Sequence, residues 1–410
     1  MKPVSFLDGR VSLYAGDCLE VLDALPENSV DSIVCDPPYH LTSIVKRFGA
    51  GQAAEAKAGA TGAFKRASAG FMGKQWDGGD IAFRPETWAK VLRVLKPGGY
   101  VLAFASTRGF GRMSVAIEDA GFITLPFIAW VFGSGFPKAT RVKAEGYDGH
   151  RYGGQALKPA IEPIYMGQKP FEKGLSGTDN ILKWGTGAIN IGGCRIHAED
   201  AKGYEYTVKR TAPGATQNET GQTKFEDGTL YSAKTQDGRW PANLIHDGSD
   251  EVVSTFPDAP GQQREVNEGF APKTGATVYG DYGPRPTVTP RDNGGSASRF
   301  FYAAKADAED RVGSKHPTVK PLDLMQYLVR LVTPKDGTVL DPFAGTGTTG
   351  EAAWREGFNA VLIEREAEYQ ADIATRMDLA LKPTKRAAVA KSKGKLMGAE
   401  DTPLFGAEAV

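Results

Sequence analysis

The stretch VLDPFAGTGTTGEAA, Val339–Ala353, joins a short apolar run to a glycine-rich turn and then to the start of a helical pattern. Gly345 and Gly347 remove side chains where a ligand would approach the backbone, and Thr348 and Thr349 can cap the helix. In doubly wound parallel sheets, ligands bind where the carboxyl end of a strand meets a helix N-terminus. The stretch therefore predicts an α/β fold with a ligand site in this turn, although a plain strand-to-helix turn has the same pattern.

The acid that ends this strand, Asp341, limits the choice of ligand. A P-loop needs a lysine after the turn, and none is present there. The dinucleotide pattern GxGxxG occurs from Gly345 to Gly350, but a carboxylate beside it would repel a pyrophosphate and would suit an ammonium group. The methionine end of S-adenosylmethionine fits this polarity better. About twenty residues on, Glu364 ends the next strand, where an acid can accept hydrogen bonds from ribose hydroxyls; a surface charge is the alternative.

The two ends of the chain share one pattern of apolar and polar residues, and the middle has a different one. Apolar runs alternate with helical patterns from Val11 to about Val142, and the alternation returns from His316, which is typical of a parallel sheet with crossover helices. Between them Gly, Pro, Thr and Asn dominate, which favours an irregular or β-rich insertion. The predicted divisions are a first part of the α/β domain at 1–142 with a mobile basic loop at 41–75, an inserted domain at 143–315, a second part of the α/β domain at 316–381 and a disordered basic tail at 382–410.

A second stretch, SIVCDPPYHL from Ser32 to Leu41, ends a predicted strand on an acid, two prolines and an aromatic ring. Prolines stop a strand because they lack the N–H group that the ladder requires. They do not explain why Asp36 and Tyr39 should flank them.

The pair DPPY and DPFAGTGTT resembles the amino-group DNA methyltransferases, which methylate adenine N6 or cytosine N4. The order found here, with the catalytic tetrapeptide first, an insertion next and the cofactor loop last, resembles the β arrangement of that family. The resemblance implies a Rossmann-like S-adenosylmethionine-dependent methyltransferase sheet, assembled from both chain ends, with the insertion as a target-recognition domain. Other matching pieces are LYAGDCLEVLDALPENSVDSIVCDPPY, GFMGKQWDG, VLKPGGYVLAF, VFGSGFPKA and HPTVKPLDLMQYLV.

The resemblance also assigns residues to the cofactor. It places Asp17, with the Cys18 backbone beside it, at the adenine amino group, and the segment 316–321 over the methionine end; a helix N-cap for Asp17 and a solvated charge for Lys320 are the alternatives. The predicted cofactor-binding residues are Asp17, Cys18, His316, Thr318, Lys320, Asp341, Pro342, Phe343, Ala344, Gly345, Gly347, Thr348, Glu364 and Arg365.

The tetrapeptide has the chemistry that such a reaction needs, and its predicted catalytic residues are Asp36, Pro37, Pro38 and Tyr39. An exocyclic amino nitrogen is a poor nucleophile because its lone pair is delocalised into the ring. Two acceptors on its N–H groups, the Asp36 carboxylate and the rigidly held Pro37 carbonyl, would localise that pair. A base inside a duplex must be flipped out, and stacking on Tyr39 would be worth about 1–3 kcal/mol.

The charge and the cysteine content of the chain bear on its binding partners and on its cellular compartment. The formal net charge is zero, which neither favours nor excludes nucleic acid, whereas the loop at 41–75 is locally basic. Three cysteines without a CxxC spacing predict reduced thiols, no structural zinc and a cytoplasmic protein. The family resemblance implies a bacterial or phage-encoded protein associated with the nucleoid; no signal peptide or membrane span is expected. The predicted DNA-binding residues are Lys46, Arg47, Lys74, Lys138, Arg141 and Lys143.

The aspartate of DPPY favours adenine N6, since the cytosine-N4 enzymes more often carry serine there, and cytosine N4 is the second choice. RNA or protein methyltransferases share the fold, but the related glutamine methyltransferases keep the cofactor loop ahead of the tetrapeptide. A nicotinamide oxidoreductase would leave Asp341 and DPPY unexplained, and the intact Asp36 disfavours a non-catalytic DNA-binding protein. The predicted partner is double-stranded DNA; a homodimer and a separate restriction nuclease chain are both compatible with the resemblance.

Overall fold

A computed structural model describes residues 2–39, 80–197, 205–209, 230–234, 237–259, 294–304, 308–312, 314 and 319–389, with the backbone alone for 138, 154–155, 205–209, 230–234 and 308. The strands are β1 (Val4–Phe6), β2 (Val11–Ala15), β3 (Val30–Cys35), β4 (Leu95–Phe104), β5 (Ile123–Val131), β6 (Lys138–Arg141), β7 (Arg151–Gln155), β8 (Ile161–Gln168), β9 (Glu205–Lys209), β10 (Leu230–Lys234), β11 (Leu244–His246), β12 (Tyr302–Ala303), β13 (Thr338–Asp341) and β14 (Asn359–Glu364).

At both chain ends the helices follow the apolar patterns of the sequence, and two further described helices lie in the middle of the chain. In chain order the helices are α1 (Cys18–Ala24), α2 (Pro85–Val94), α3 (Phe110–Asp119), α4 (Gly177–Trp184), α5 (Asp250–Val253), α6 (Leu322–Val332), α7 (Thr348–Arg355) and α8 (Ala367–Ala380). Short 3₁₀ helices occupy Ile81–Phe83, Gly192–Cys194, Ala297–Phe300 and Ala308–Arg311.

Among the described residues, the main sheet has ten strands in the order β1-β2-β14-β13-β3-β4-β8-β5-β11-β12. The five strands from β2 to β4 are mutually parallel, β8 is antiparallel to both of its neighbours, and β5 and β11 are parallel to each other. Strands from the two ends of the chain therefore alternate in space, because β14 and β13 lie between β2 and β3. This confirms the prediction of an α/β sheet assembled from both chain ends.

Helices cover both faces of the parallel part. Ile33 and Cys35 belong to a buried cluster with α1, α2 and α3, in which Trp88 is fully buried. Successive side chains of a strand point to opposite faces, so Ser32 points the other way, where its hydroxyl lies 2.8 Å from that of Thr333 at the end of α6. Because both faces of β3 are covered, all six of its residues are buried, and such strands are near-continuous apolar runs.

The described residues form two compact units, one from Met1–Gly193, Asn243–Val252 and Ala303–Val410, and one from Cys194–Ala242 and Val253–Tyr302. The predicted insertion at 143–315 therefore begins too early. Its first part belongs to the larger unit, because β8 is a buried strand that pairs with β4 and β5. Within the second unit, β9 and β10 form an antiparallel pair, in line with the expected β-rich character.

The predicted tail also begins too early, since residues 383–389 are helical. Arg386 in this helix is buried and makes an ion pair with the fully buried Glu351 of α7. A partnered, buried arginine holds this part of the chain on the fold. The rest of the predicted tail and the whole loop at 41–75 lie outside the described residues.

Candidate active site

A row of four carboxylates lies along one edge of the sheet. The parallel strands β2, β14, β13 and β3 are neighbours in that order, and an acid stands at or just after the carboxyl end of each. In the same order these are Asp17, Glu364, Asp341 and Asp36. With neighbouring strands about 4.8 Å apart, the row spans about 14 Å. The sequence places these acids far apart, and only the strand order brings them into one line.

The glycine-rich turn lies at the centre of this edge. Gly345 and Gly347 have φ values of 52° and 76°, a region that side chains disfavour. Gly347 itself is the N-cap of α7, so the predicted capping by the two threonines that follow is wrong. The Thr349 hydroxyl instead donates to Asp341 Oδ2 at 2.5 Å.

Asp341 is buried and each of its oxygens accepts a hydrogen bond, with the Phe343 N–H 3.0 Å from Oδ1. Burial raises the pKa of its carboxyl to about 7; the two hydrogen bonds oppose the rise, and the nearby Asp36 and Glu364 add to it. A carboxyl in this state gains its charge when a cation arrives beside it.

Glu364 is held at both oxygens. The Gly345 N–H donates to Oε2 and the Glu366 N–H donates to Oε1, both at 2.8 Å. Burial raises the pKa of this carboxyl, while the backbone N–H groups oppose that rise. One lone pair on each oxygen stays available, which suits two hydroxyl donors side by side.

Asp17 begins α1, and its Oδ1 accepts the Leu19 N–H at 2.9 Å, so the N-cap geometry is present. The neighbouring Gly16 N–H donates to the Glu364 carbonyl at 3.1 Å, which ties this loop to the site. Burial, with a contribution from Asp17, raises the pKa of the Cys18 thiol to about 12. Arg365 is exposed and pairs with Glu366 at 2.9 Å.

At the far end of the row, Asp36 and Tyr39 meet a lysine and a second carboxylate. Lys320 Nζ lies 2.7 Å from Asp36 Oδ2, 3.1 Å from Tyr39 Oη and 3.4 Å from Glu162 Oε1. The Tyr39 hydroxyl donates to Glu162 Oε1 at 2.5 Å. We call Asp36, Tyr39, Glu162 and Lys320 the amino-group cluster. Lys320 was predicted to bind the cofactor; in the structure its ammonium group contacts Asp36 and Tyr39 of the DPPY tetrapeptide.

The cluster is electrostatically coupled. Burial lowers the pKa of Lys320, but Asp36 and Glu162 outweigh that effect and the net shift is upward, so the lysine stays charged. Burial also raises the pKa of Glu162, against the opposing effect of Lys320. The Tyr39 pKa is raised well above its ordinary value by burial and by the two carboxylates, so its hydroxyl keeps its proton.

One atom of the cluster has no partner among the described residues. Asp36 Oδ1 is buried and accepts no hydrogen bond there, while the other oxygen holds Lys320. An unsatisfied buried acceptor costs about 1–3 kcal/mol, and it is satisfied when a donor enters the site. Pro37, buried beside it, brings a carbonyl group to the same turn.

Sequence reasoning did not find Glu162. It lies in β8, within the apolar run IEPIYMG of Ile161–Gly167. The available signal was an acid inside a buried strand, which is rare unless the acid is partnered. The segments on either side of that strand are rich in Gly and Pro, so the whole region was predicted to be irregular.

The remaining predicted residues are placed as follows. Pro342 and Ala344 are buried in the glycine-rich turn, and Phe343 and Pro38 are partly buried. Arg141 and Lys143 are exposed at and after the end of β6, and Lys138 is described by its backbone alone. Outside the described residues lie His316, Thr318, Lys46, Arg47 and Lys74.

The described residues contain no group of three or more His, Cys, Asp and Glu side chains able to hold a metal ion. All three cysteines are free and buried. Within the described part of the chain, no helix is long and apolar enough to cross a membrane.

A family model described as DNA methylase, of the N6 and N4 type, matches residues 30–376. The chain belongs to this DNA methylase family. The match includes both the tetrapeptide and the glycine-rich turn, and it confirms the family resemblance predicted from those motifs.

Other DNA methylases are similar to this one. The type II methyltransferase M.HindIII of Haemophilus influenzae is 23% identical over 367 residues, covering 83% of this chain and 86% of its own. The type II methyltransferase M2.MboI of Moraxella bovis is 43% identical over 60 residues, 15% of this chain and 22% of its own.

Two solved structures align over most of their length. The cytosine-N4-specific PvuII DNA methyltransferase is 16% identical with a TM-score of 0.45, covering 95% of this chain and 94% of its own. The M1.HpyAVI–SAM complex is 15% identical with a TM-score of 0.38, covering 90% of this methylase and 99% of its own chain.

Proposed function

We propose that this methylase transfers a methyl group from S-adenosylmethionine to the exocyclic amino group of a flipped base in double-stranded DNA, with adenine N6 as the target. The observation that carries the proposal is Asp36 Oδ1, a buried acceptor without a partner among the described residues, next to a proline carbonyl and a tyrosine ring. An amino group supplies the two donors that such a pair of acceptors requires.

The row of carboxylates gives each part of S-adenosylmethionine a polar partner. Asp17 would accept from the adenine amino group, Glu364 from the ribose hydroxyls, and Asp341 would pair with the methionine ammonium group. The next position along the row is Asp36, so the reactive methyl would lie beside the amino-group cluster. When bound, S-adenosylmethionine supplies an electrophilic methyl group whose bond to sulfur breaks with both electrons left on sulfur.

The residues of this chain prepare the nucleophile. Asp36 Oδ1 and the Pro37 carbonyl each accept one N–H of the target amino group, which localises the nitrogen lone pair for attack on the methyl carbon. Tyr39 stacks on the extruded base and holds it in line. As the new N–C bond forms, the nitrogen becomes cationic, and its surplus proton passes to Asp36 Oδ1 and from there to solvent. No covalent bond to the enzyme is needed, so the buried Cys35 is a core residue.

Adenine is favoured over cytosine because the tetrapeptide begins with aspartate in place of serine. The exposed Arg141 and Lys143 are proposed phosphate contacts, together with Lys138 and the basic residues at 46, 47 and 74. The buried free cysteines fit action in the reducing cytoplasm.

The test is to incubate the purified protein with mixed-sequence duplex DNA and methyl-labelled S-adenosylmethionine, to digest the DNA and to separate the nucleosides. Label in N6-methyladenosine, absent from a parallel reaction with Asp36→Ala, is the expected result. Label in N4-methylcytosine would keep the mechanism and reverse the base. No label in DNA, with the cofactor still bound, would overturn the proposal and direct the search to RNA or protein substrates.

A further inference from the structure

Glu162 is a partly buried carboxylate in the proposed active site that no motif predicted. It lies on β8, the strand that runs against its neighbours, and reaches the tetrapeptide through the Tyr39 hydroxyl at 2.5 Å. It also lies 3.4 Å from Lys320. Its side chain is 17% exposed, against 8% for that of Lys320. A buried charge of this kind is costly unless it is partnered, so its contacts need an explanation.

The explanation begins with the lysine. Lys320 Nζ is closer to Asp36, at 2.7 Å, than to Glu162, and it also lies 4.7 Å above the Phe104 ring. If Lys320 and Asp36 formed the whole cluster, the ammonium group would cancel the carboxylate charge. The proposed reaction gains from negative charge at that point, because positive charge moves from the cofactor sulfur onto the nitrogen held by Asp36.

Glu162 changes this balance. Its Oε1 accepts the Tyr39 hydroxyl and faces Lys320 Nζ, which are the contacts of a carboxylate, so the cluster sets two carboxylates against one ammonium group and has an excess of one negative charge. The lysine can then hold both carboxylates in place without neutralising the site, and Asp36 Oδ1 stays free to accept a donor. The Tyr39 hydroxyl, which donates to the same Glu162 oxygen that faces Lys320, fixes the orientation of the stacking ring.

We propose that Glu162 is a positioning residue of the methyl-transfer site, which orients Tyr39 and Lys320 and keeps the amino-group cluster at one net negative charge. This inference rests on the proposed function. It predicts that the site prefers the sulfonium cation of S-adenosylmethionine over the neutral thioether of S-adenosylhomocysteine. The same charge favours the transition state. In that state the N–C bond forms, the C–S bond breaks with its electron pair going to sulfur, and positive charge develops on the nitrogen.

The experiment measures the dissociation constants of S-adenosylmethionine and S-adenosylhomocysteine by calorimetry for the wild type, Glu162→Gln and the double variant Glu162→Gln/Lys320→Met. Glutamine keeps the shape of the side chain and an acceptor for Tyr39, but it makes the cluster neutral. The preference for the cation should fall about tenfold in Glu162→Gln. The double variant restores one net negative charge and should return that preference to within about threefold of the wild type.

The matched control is Glu356→Gln. Glu356 also carries a carboxylate paired with a cation, at 2.6 Å from Arg330, but it follows the C-terminal end of α7, about 12 Å along the helix from the end that faces the site. Its removal should leave the cation preference unchanged. Single-turnover methylation should follow the same order, with Glu162→Gln at least about tenfold slower than the wild type and the double variant faster than Glu162→Gln.

A purely structural Glu162 would weaken both ligands equally and would make the double variant at least as poor as the single one; that pattern, or a Glu162→Gln protein identical to the wild type, overturns the inference. If Glu162→Gln does not fold, the double variant decides alone, since it has the wild-type charge and no unpaired buried lysine. A wild type that shows the predicted cation preference but does not methylate DNA would contradict the proposed function and leave the inference standing. A wild type that does not bind S-adenosylmethionine contradicts both.

Discussion

Asp341→Asn should make this methylase more stable at neutral pH while weakening its proposed cofactor site. The wild-type carboxyl is 3% exposed, and burial raises its pKa from 3.8 to about 7. One pKa unit corresponds to 1.36 kcal/mol, so an upward shift of about three units costs up to about 4 kcal/mol of folding free energy once the group is ionised. Asparagine keeps the hydrogen bonds, because its oxygen can accept from Phe343 N–H and its amide can donate to the Thr349 hydroxyl.

The sign follows from the two pKa values. Between pH 3.8 and about 7, the unfolded chain has lost the proton of Asp341 and the folded protein has kept it. Folding then takes up a proton, so this group makes the wild type less stable as the pH rises, and its contribution is constant above pH 7. The stability advantage of Asp341→Asn should therefore be small near pH 4 and grow by about 1.4 kcal/mol per pH unit to a plateau above pH 7.

The assay is urea unfolding of the wild type, Asp341→Asn and the control Asp119→Asn at pH 5, 6, 7 and 8. Asp119 is an exposed carboxyl at the end of α3, and its substitution should give no comparable growth with pH. A difference between wild type and Asp341→Asn that is flat across this range, or a variant that is less stable at pH 8, would refute the argument that burial dominates this carboxyl.

The same substitution should raise the dissociation constant of S-adenosylmethionine, because the methionine ammonium group loses its charged partner. For the wild type, affinity should fall as the pH drops below about 7, since the protonated carboxyl cannot form the ion pair. Calorimetric titration at pH 6 and pH 8 measures both effects. Equal affinity of the variant and the wild type at pH 8 would remove Asp341 from the proposed binding site.

Three further substitutions test other parts of the structure. Tyr39→Ala should raise the activation free energy of single-turnover methylation by the lost stacking free energy, about 1–3 kcal/mol. Tyr39→Phe keeps the ring and should raise it by less. Equal increases in the two variants would exclude stacking. Gly135→Ala should cost about 3 kcal/mol of stability or prevent folding, because an added Cβ would lie 1.6 Å from the Pro159 carbonyl oxygen. The control Gly111→Ala, in α3 with open space around it, should stabilise by about 0.5–1 kcal/mol in the same urea assay, and a neutral Gly135→Ala would contradict the predicted clash. Arg376→Met removes a buried guanidinium that donates to the Thr346 carbonyl in the glycine-rich turn at 2.7 Å, and should cost about 3 kcal/mol in urea unfolding; a loss below about 1 kcal/mol would show that the surrounding ion pairs compensate.

Local sequence patterns were sufficient to predict the strands and helices at both ends of the chain. Strands β2, β3, β13 and β14 and the helices after them follow from apolar periodicity, since each is a short, self-contained signal. Strand β8 was not predicted because Gly- and Pro-rich segments surround this strand of eight residues, and its apolar run was read as part of the irregular insertion. Its partners β4 and β5 lie far away in the sequence, and pairing at such separation leaves no local pattern.

The sequence by itself determined the family, because DPPY and the glycine-rich turn each combine unusual backbone and side-chain requirements in a few consecutive residues. Only the tertiary structure decided what these motifs contact. Strand order aligns Asp17, Glu364, Asp341 and Asp36 at one edge, and it brings Glu162 and Lys320 to the tetrapeptide from 123 and 281 residues beyond Tyr39. Contacts between such distant residues depend on how the chain packs in three dimensions, which no short segment of the sequence specifies.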